Sequence, residues 1–376
     1  MTVVVAIDSF KGSLSSLQAG QAVKEAICQL DKDAEVLVKP LADGGEGTVD
    51  ALASGLDAQV VEITVGDPLM RPVNAKYCII KDSNTAVIEM AAASGITLIS
   101  KEERNPLKTT TYGVGEMIKD AITRGCRRFI VGIGGSATND GGTGMLSALG
   151  VRFLDQKDQS VRMGAEGLKV LSKIDMANVI PELAECSFQI ACDVKNPLCG
   201  EQGCSAVYGP QKGATAEMIR DMDGWLNRFA EFTKTVSESA DPGYPGAGAA
   251  GGLGFAFLAY TNAVLKSGID IVLDETKLEE DIKCADIVVT GEGRLDSQTV
   301  MGKAPIGVAK LAKRYGKKVI GFCGCTTPDA EICNENGIDA YFPILRTVTT
   351  LEEALDVSNA FKNLRATAYQ VFRLLM

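Results

Sequence analysis

The sequence predicts an α/β protein: a doubly wound, mostly parallel sheet domain with a second α/β domain inserted into it and the active-site cleft between them. Three observations carry this reading. Short β-branched runs alternate with helical patterns, many of the runs are apolar throughout, and glycine-rich loops follow them. Continuous apolar runs suit parallel strands buried on both faces, and ligands of open α/β sheets gather at the loops after the strands. At 376 residues the chain is also too long for one ordinary core, so two domains are expected.

The strands are read at Val3–Ile7, Val36–Val38, Phe129–Val131, Ile287–Val289, Lys318–Phe322 and around Tyr341-Phe342. Helical periodicity separates them, over Ser16–Leu30 and Tyr112–Arg124, and again in the tail from Leu351 to Leu375. Two stretches break the rhythm. Residues 58–98 read as closely spaced strands with turns at Gly66-Asp67-Pro68 and Asp82-Ser83-Asn84, and residues 140–275 mix short strands, helices and long glycine loops. The expected division is therefore 1–57, 105–138 and 281–376 for the Rossmann-like domain, and 58–104 with 139–280 for the inserted one.

Composition narrows the function. The formal charge is −10 and no Lys/Arg-rich run occurs, so neither nucleic acid nor an anionic membrane is expected as partner. The apolar stretch Gly251–Leu265 is interrupted by Tyr260, Thr261 and Asn262 and is too short for a bilayer span. The opening MTVVVAIDSF reads as a buried strand without a signal-peptide leader, which makes a cytoplasmic protein the expectation. The 11 cysteines form no C-x-x-C pair and read as reduced thiols. Histidine is absent. Ser-His-Asp and Cys-His chemistries are thereby excluded, and proton transfer falls to Asp, Glu, Lys, Tyr or Cys.

Five glycine-and-acid segments remain as candidate chemistry. Asp8-Ser9-Phe10-Lys11-Gly12-Ser13 follows the first strand; Lys11 suits a phosphate or carboxylate, against the plainer reading of a helix cap. Asp43-Gly44-Gly45-Glu46-Gly47 offers backbone N–H groups to an anion, or carboxylates to Mg²⁺. Gly132 to Gly144 holds the densest cluster. Gly132, Gly134 and Ala137 even satisfy a dinucleotide fingerprint, with Asp155 where a ribose-binding acid would stand. The pair Gly141-Gly142 argues against the uninterrupted helix that fingerprint needs. Asp193 ends an apolar run before Pro197, and loops at Gly209–Gly213 and Gly246–Gly254 follow it. The last segment is Thr290 to Thr299, with Glu292, Arg294 and Asp296, continuing to Gly302-Lys303-Ala304-Pro305. A Walker phosphate loop is absent, because Ser297 and Ala304 stand where its first glycine and its Ser/Thr belong.

Taken together these strings resemble the type I glycerate kinase family. DSFKGS (Asp8–Ser13), ADGGEGT (Ala42–Thr48), TAVIEMAAASG (Thr85–Gly95), NPLKTTTYGVGE (Asn105–Glu116), GIGGSATNDGG (Gly132–Gly142) and CDVKNPLCG (Cys192–Gly200) carry the likeness. GPQKGA (Gly209–Ala214), PGAGAAGGLG (Pro245–Gly254) and TGEGRLDSQT with GKAP (Thr290–Pro305) extend it over nearly the whole chain. Departures at Cys204 and in Phe322-Cys323-Gly324-Cys325 touch packing rather than chemistry. The resemblance implies ATP-dependent phosphorylation of D-glycerate to 2-phosphoglycerate with Mg²⁺, in a cleft between two α/β domains.

On that footing the substrate residues expected are Asp8, Ser9, Lys11, Arg71, Asn139, Asp140 and Arg294. The nucleotide and phosphate residues are Gly44, Gly45, Gly134, Gly135, Ser136, Thr138 and Glu292. Lys11 and Arg294 offset charge; Asp193 or Asp296 takes the hydroxyl proton, the other helping to hold Mg²⁺. Two readings from other classes stand beside this one: an NAD-dependent dehydrogenase built on Gly132–Asp155, and a non-catalytic sugar-acid sensor. A homo-oligomer is left open.

Overall fold

The computed structural model describes residues 1–42, 52 and 56–376. Among these, thirteen strands run in chain order: β1 (Thr2–Ile7), β2 (Glu35–Val38), β3 (Ala58–Gly66), β4 (Pro72–Ile80), β5 (Thr85–Glu89), β6 (Arg128–Gly132), β7 (Arg152–Leu154), β8 (Lys173–Asp175), β9 (Ser187–Ala191), β10 (Asn262–Lys266), β11 (Ile287–Leu295), β12 (Lys318–Thr326) and β13 (Ala340–Pro343). The chain divides into two compact units, one made of residues 1–42 with 269–376 and the other of residues 57–268. The second is thus an insertion in the first. Among the described residues no helix is long and apolar enough to cross a membrane.

The first unit holds a five-stranded sheet in the order β13-β12-β11-β1-β2, with every pair parallel. Val3, Val4, Val5 and Ile7 of β1 are all buried, as a central strand covered on both faces requires. Helix Ser16–Leu30 starts at a capping box, Ser15 and Gln18 bonding each other's backbone. That device contributes about 1 kcal/mol. The helix buries Ala19, Val23, Ala26 and Ile27 in one core with Leu364, Ala368 and Phe372 of helix Val357–Phe372. Small residues let the helix lie close: a Cβ on Gly20 would stand 2.4 Å from a methyl of Val38.

The second unit holds a six-stranded sheet, β10-β9-β6-β5-β4-β3, and a two-stranded ribbon, β7-β8. The meander β3-β4-β5 is antiparallel, and β5, β6, β9 and β10 are mutually parallel. Phe129 and Phe188 face each other across β6 and β9 with ring centroids 4.7 Å apart. Such a pair contributes about 0.5–1.5 kcal/mol beyond its buried area.

The division differs from the sequence expectation in two places. Residues 105–138 belong to the second unit, since β6 pairs with β5 and β9. The run Phe129-Ile130-Val131 marks a buried parallel strand, but an apolar run looks the same in either sheet. Residues 269–280 belong to the first unit rather than the second.

Candidate active site

In the first unit the chain leaves β1 toward β2 on one side and runs from β11 through β12 to β13 on the other. The boundary between β1 and β11 is a topological switch point, where loops from neighbouring strands diverge and leave a crevice. Asp8, Ser9 and Lys11 follow β1; Glu292 and Arg294 lie in the C-terminal half of β11. Asp8 is buried, its backbone N–H donating to the Gly291 carbonyl at 2.8 Å and its Oδ1 accepting from the Ser9 N–H at 2.7 Å.

The carboxylates here are organised rather than loose. Glu292 Oε1 accepts from the Thr299 hydroxyl at 2.7 Å, and its Oε2 lies 3.4 Å from Lys303 Nζ. Asp296 Oδ1 accepts from the N–H groups of Gln298 and Thr299 and lies 3.7 Å from the same ammonium. Its Oδ2 accepts from Arg294 Nε at 3.1 Å. Both carboxylates are buried. Burial holds the Glu292 carboxyl above its usual range, opposed by Thr299 and Lys303. Lys303 thus stands between two acids at the start of helix Ala304–Arg314. Sequence reasoning met it in the last candidate segment and as the failed lysine of a Walker motif, with no role assigned to it.

The second unit carries the long glycine loop after β6. Gly134 and Gly135 are exposed, whereas residues 136–142 are buried. Neighbours fix the loop on several sides. The Ile96 N–H donates to the Gly135 carbonyl at 2.9 Å, the Ala137 N–H to the Ser94 carbonyl at 2.9 Å, and the Thr109 hydroxyl to the Ala137 carbonyl at 2.9 Å. No helix begins until Thr143, and Gly141 and Gly142 both take positive φ. The dinucleotide turn is therefore absent. Asp155, its supposed ribose acid, instead accepts the N–H groups of Lys157 and Gln159 in an exposed turn.

Asp140, expected to meet substrate, is an internal strut. It accepts from the Thr111 N–H and hydroxyl at 2.9 Å each, from the N–H groups of Gly142 and Gly144, and more weakly from the Thr110 hydroxyl at 3.3 Å. Its burial raises the carboxyl's pKa, and these donors oppose the rise. Asn139 is equally enclosed, donating to Ser205 Oγ at 2.8 Å. Four of these donors converge on Oδ2 and the Gly142 N–H takes Oδ1, so the carboxylate is engaged within the fold.

Lys212 is the residue the sequence reading passed over. It is 2% exposed, and its Nζ donates to Ser136 Oγ at 2.7 Å and to the Thr138 carbonyl at 2.6 Å. Burial pushes its ammonium down to about 8. A lysine kept inside at that cost fixes Ser136 and the carbonyl of Thr138, whose own hydroxyl is buried without a partner among the described residues. Its only sequence signal was one cation in GPQKGA, 74 positions from the loop it holds.

Asp193 follows β9 at the same end of the sheet, since Gly132 of β6 is in register with Ala191 of β9. It is exposed, with Oδ1 accepting from the Gly268 N–H at 3.2 Å. Arg71 does not join either cluster. It spans a surface turn, bonded to Asp67 at 2.7 Å and Glu103 at 2.6 Å. Gly44 and Gly45 lie outside the described residues. Among the described residues no three Cys, Asp or Glu side chains gather as a metal site.

The expected residues therefore fall into two groups. Asp8, Ser9, Lys11, Glu292, Arg294 and Asp296 are gathered in the first unit; Gly134, Gly135, Ser136, Thr138 and Asp193 follow the C-terminal ends of neighbouring strands in the second.

The model of the glycerate kinase family matches residues 3–376. This chain belongs to that family. It is 46% identical over 375 residues to a glycerate kinase of Haemophilus influenzae, covering 100% of this chain and 99% of that protein. It is 45% identical to the glycerate 2-kinase of Escherichia coli, covering 98% of each. A solved structure from Salmonella typhimurium LT2, titled as a glycerate kinase 2, superposes with a TM-score of 0.92 at 46% identity, covering 100% of this chain and 98% of that one. The relatives carry the name of a kinase and not of a dehydrogenase.

Proposed function

We propose that this chain transfers the γ-phosphoryl group of ATP to the 2-hydroxyl of D-glycerate, giving 2-phosphoglycerate and ADP. The observation that carries the proposal is the cluster at the β1–β11 switch point, where Lys11, Arg294 and Lys303 surround loops that end parallel strands. Phosphoryl transfer asks a protein chiefly to position reactants and to offset charge on the moving group. Three cations at one crevice meet that need. The exposed amides of Gly134 and Gly135, above Ser136, offer a second anion cradle of the kind backbone N–H groups make.

In the reaction the acceptor oxygen forms a bond to the γ-phosphorus while the bridging oxygen of the β-phosphate leaves. The hydroxyl proton goes to a carboxylate, the chain having no imidazole. Asp193 suits this role better than Asp296. Asp193 is exposed, whereas Asp296 is buried and commits its oxygens to two amides and Arg294. Asp296 and Glu292 beside it are the first-unit carboxylates that would hold a nucleotide-bound Mg²⁺, which would offset phosphate charge and would ask for only one or two protein carboxylates. A coupled assay of ADP release across small hydroxy acids tests the activity, and phosphorus NMR identifies the carbon that is phosphorylated.

A further inference from the structure

The first unit contains a cavity of about 430 Å³ whose lining has parts that differ in chemistry. One part of its lining is charged and polar: Lys11, Arg294 and Lys303, the last paired with Glu292, which also lines the cavity, and the serines Ser9 and Ser13. The Ser13 hydroxyl is buried and bonded to nothing among the described residues. Another part is aliphatic: Ile344 and Leu345 after β13, then Leu351, Ala354 and Leu355 of helix Leu351–Leu355. Leu351 is 75% exposed and Leu355 38%, an apolar surface left open to solvent beside a charged floor.

That wall is built to stay in place. Thr350 and Glu353 close a capping box on the short helix, and Asp356 accepts from the Asn359 N–H at 2.9 Å to cap the helix that follows. The volume falls in the range of small-molecule sites, about 300–1,000 Å³. A three-carbon hydroxy acid is far smaller and has no apolar face to set against three leucines. A nucleotide has both parts the cavity offers, a flat base with apolar faces and a polyanionic tail.

Resting on the reading of the chain as an ATP-dependent kinase, we infer that this cavity is the nucleoside site. The adenine lies against Leu345, Leu351 and Leu355, its phosphates run toward Lys11, Arg294 and Lys303, and the amide of Asn363, which also lines the cavity, reads the base edge. An amide presents a donor and an acceptor together, the pairing that suits adenine.

Leu351→Asp and Leu355→Asp test this, each placing a charge at a partly exposed position where folding tolerates it. Binding of the fluorescent nucleotide mant-ADP is read by titration, and binding of D-glycerate by calorimetry. The expected result is about a tenfold or greater loss of mant-ADP affinity in both variants, with glycerate affinity within about twofold of wild type. Asn363→Leu is expected to narrow the preference of kcat/KM for ATP over GTP by about tenfold. Unchanged mant-ADP affinity in both leucine variants overturns the assignment, and so does loss of glycerate affinity in either variant while its thermal melt stays native. Should wild-type protein bind mant-ADP here yet phosphorylate no glycerate, the cavity assignment stands and the kinase reading falls.

Discussion

Replacing Lys212 with Met keeps most of the aliphatic stem and removes the ammonium that holds Ser136 and Thr138. The magnitude follows from the burial. The group falls from its ordinary 10.5 to about 8 in the folded protein. At about 1.4 kcal/mol per pH unit, this corresponds to roughly 3 kcal/mol. Between pH 8 and 10.5 the unfolded chain carries a proton that the folded chain has lost, so stability contributed by this site rises with pH. Below pH 8 the cost of burying the charge is present in full. Urea unfolding of wild type and Lys212→Met, followed from pH 7 to 10.5 under reducing conditions, isolates the effect, because the other titrating groups are common to both proteins. Wild type is expected to gain roughly 3 kcal/mol on the variant across that window. A difference constant to within about 0.5 kcal/mol would refute the claim that a desolvated ammonium holds the loop.

Four further outcomes are expected. Asp193→Asn lowers kcat by about 10²–10⁴-fold at unchanged stability if it accepts the proton; near-wild-type turnover, read by ADP release, removes it from that role. Asp140→Asn presents an amide to donors the carboxylate now accepts, and a chemical-denaturation series should show a loss of about 3 kcal/mol; under 1 kcal/mol speaks against a strut. Gly251→Ala places a Cβ 2.1 Å from the Thr138 carbonyl at φ +67°, so both stability and turnover drop; a variant with native melting and kinetics contradicts that packing. Arg71→Ala changes kcat/KM by no more than about twofold, since exposed pairs contribute about 0–1 kcal/mol, and a tenfold loss would place Arg71 in the site after all.

What the sequence disclosed follows the range of the forces involved. Strands β1, β6, β11 and β12 and helix Ser16–Leu30 fall where apolar runs and helical spacing put them, because those signals are local. Which sheet a strand joins is decided by pairing across distant segments, and β6 was assigned to the wrong unit for that reason. Asp140 looked like a ligand-binding acid since its motif gives no hint of the donors at Thr111, folded in from 29 positions away. Lys212 and Lys303 were overlooked as single cations in polar loops; only their buried partners mark them. The aliphatic wall at Leu351–Leu355 read as the start of a helical tail, and becomes a candidate site wall only beside Lys11 and Arg294.

Incubating the purified protein with MgATP and D-glycerate, and following ADP by a coupled assay with the product resolved by phosphorus NMR, bears most directly on the whole account. Stoichiometric ADP and a single phosphomonoester on carbon 2 are the predicted result. Absence of glycerate-dependent ADP release, at concentrations where both ligands bind, would contradict it.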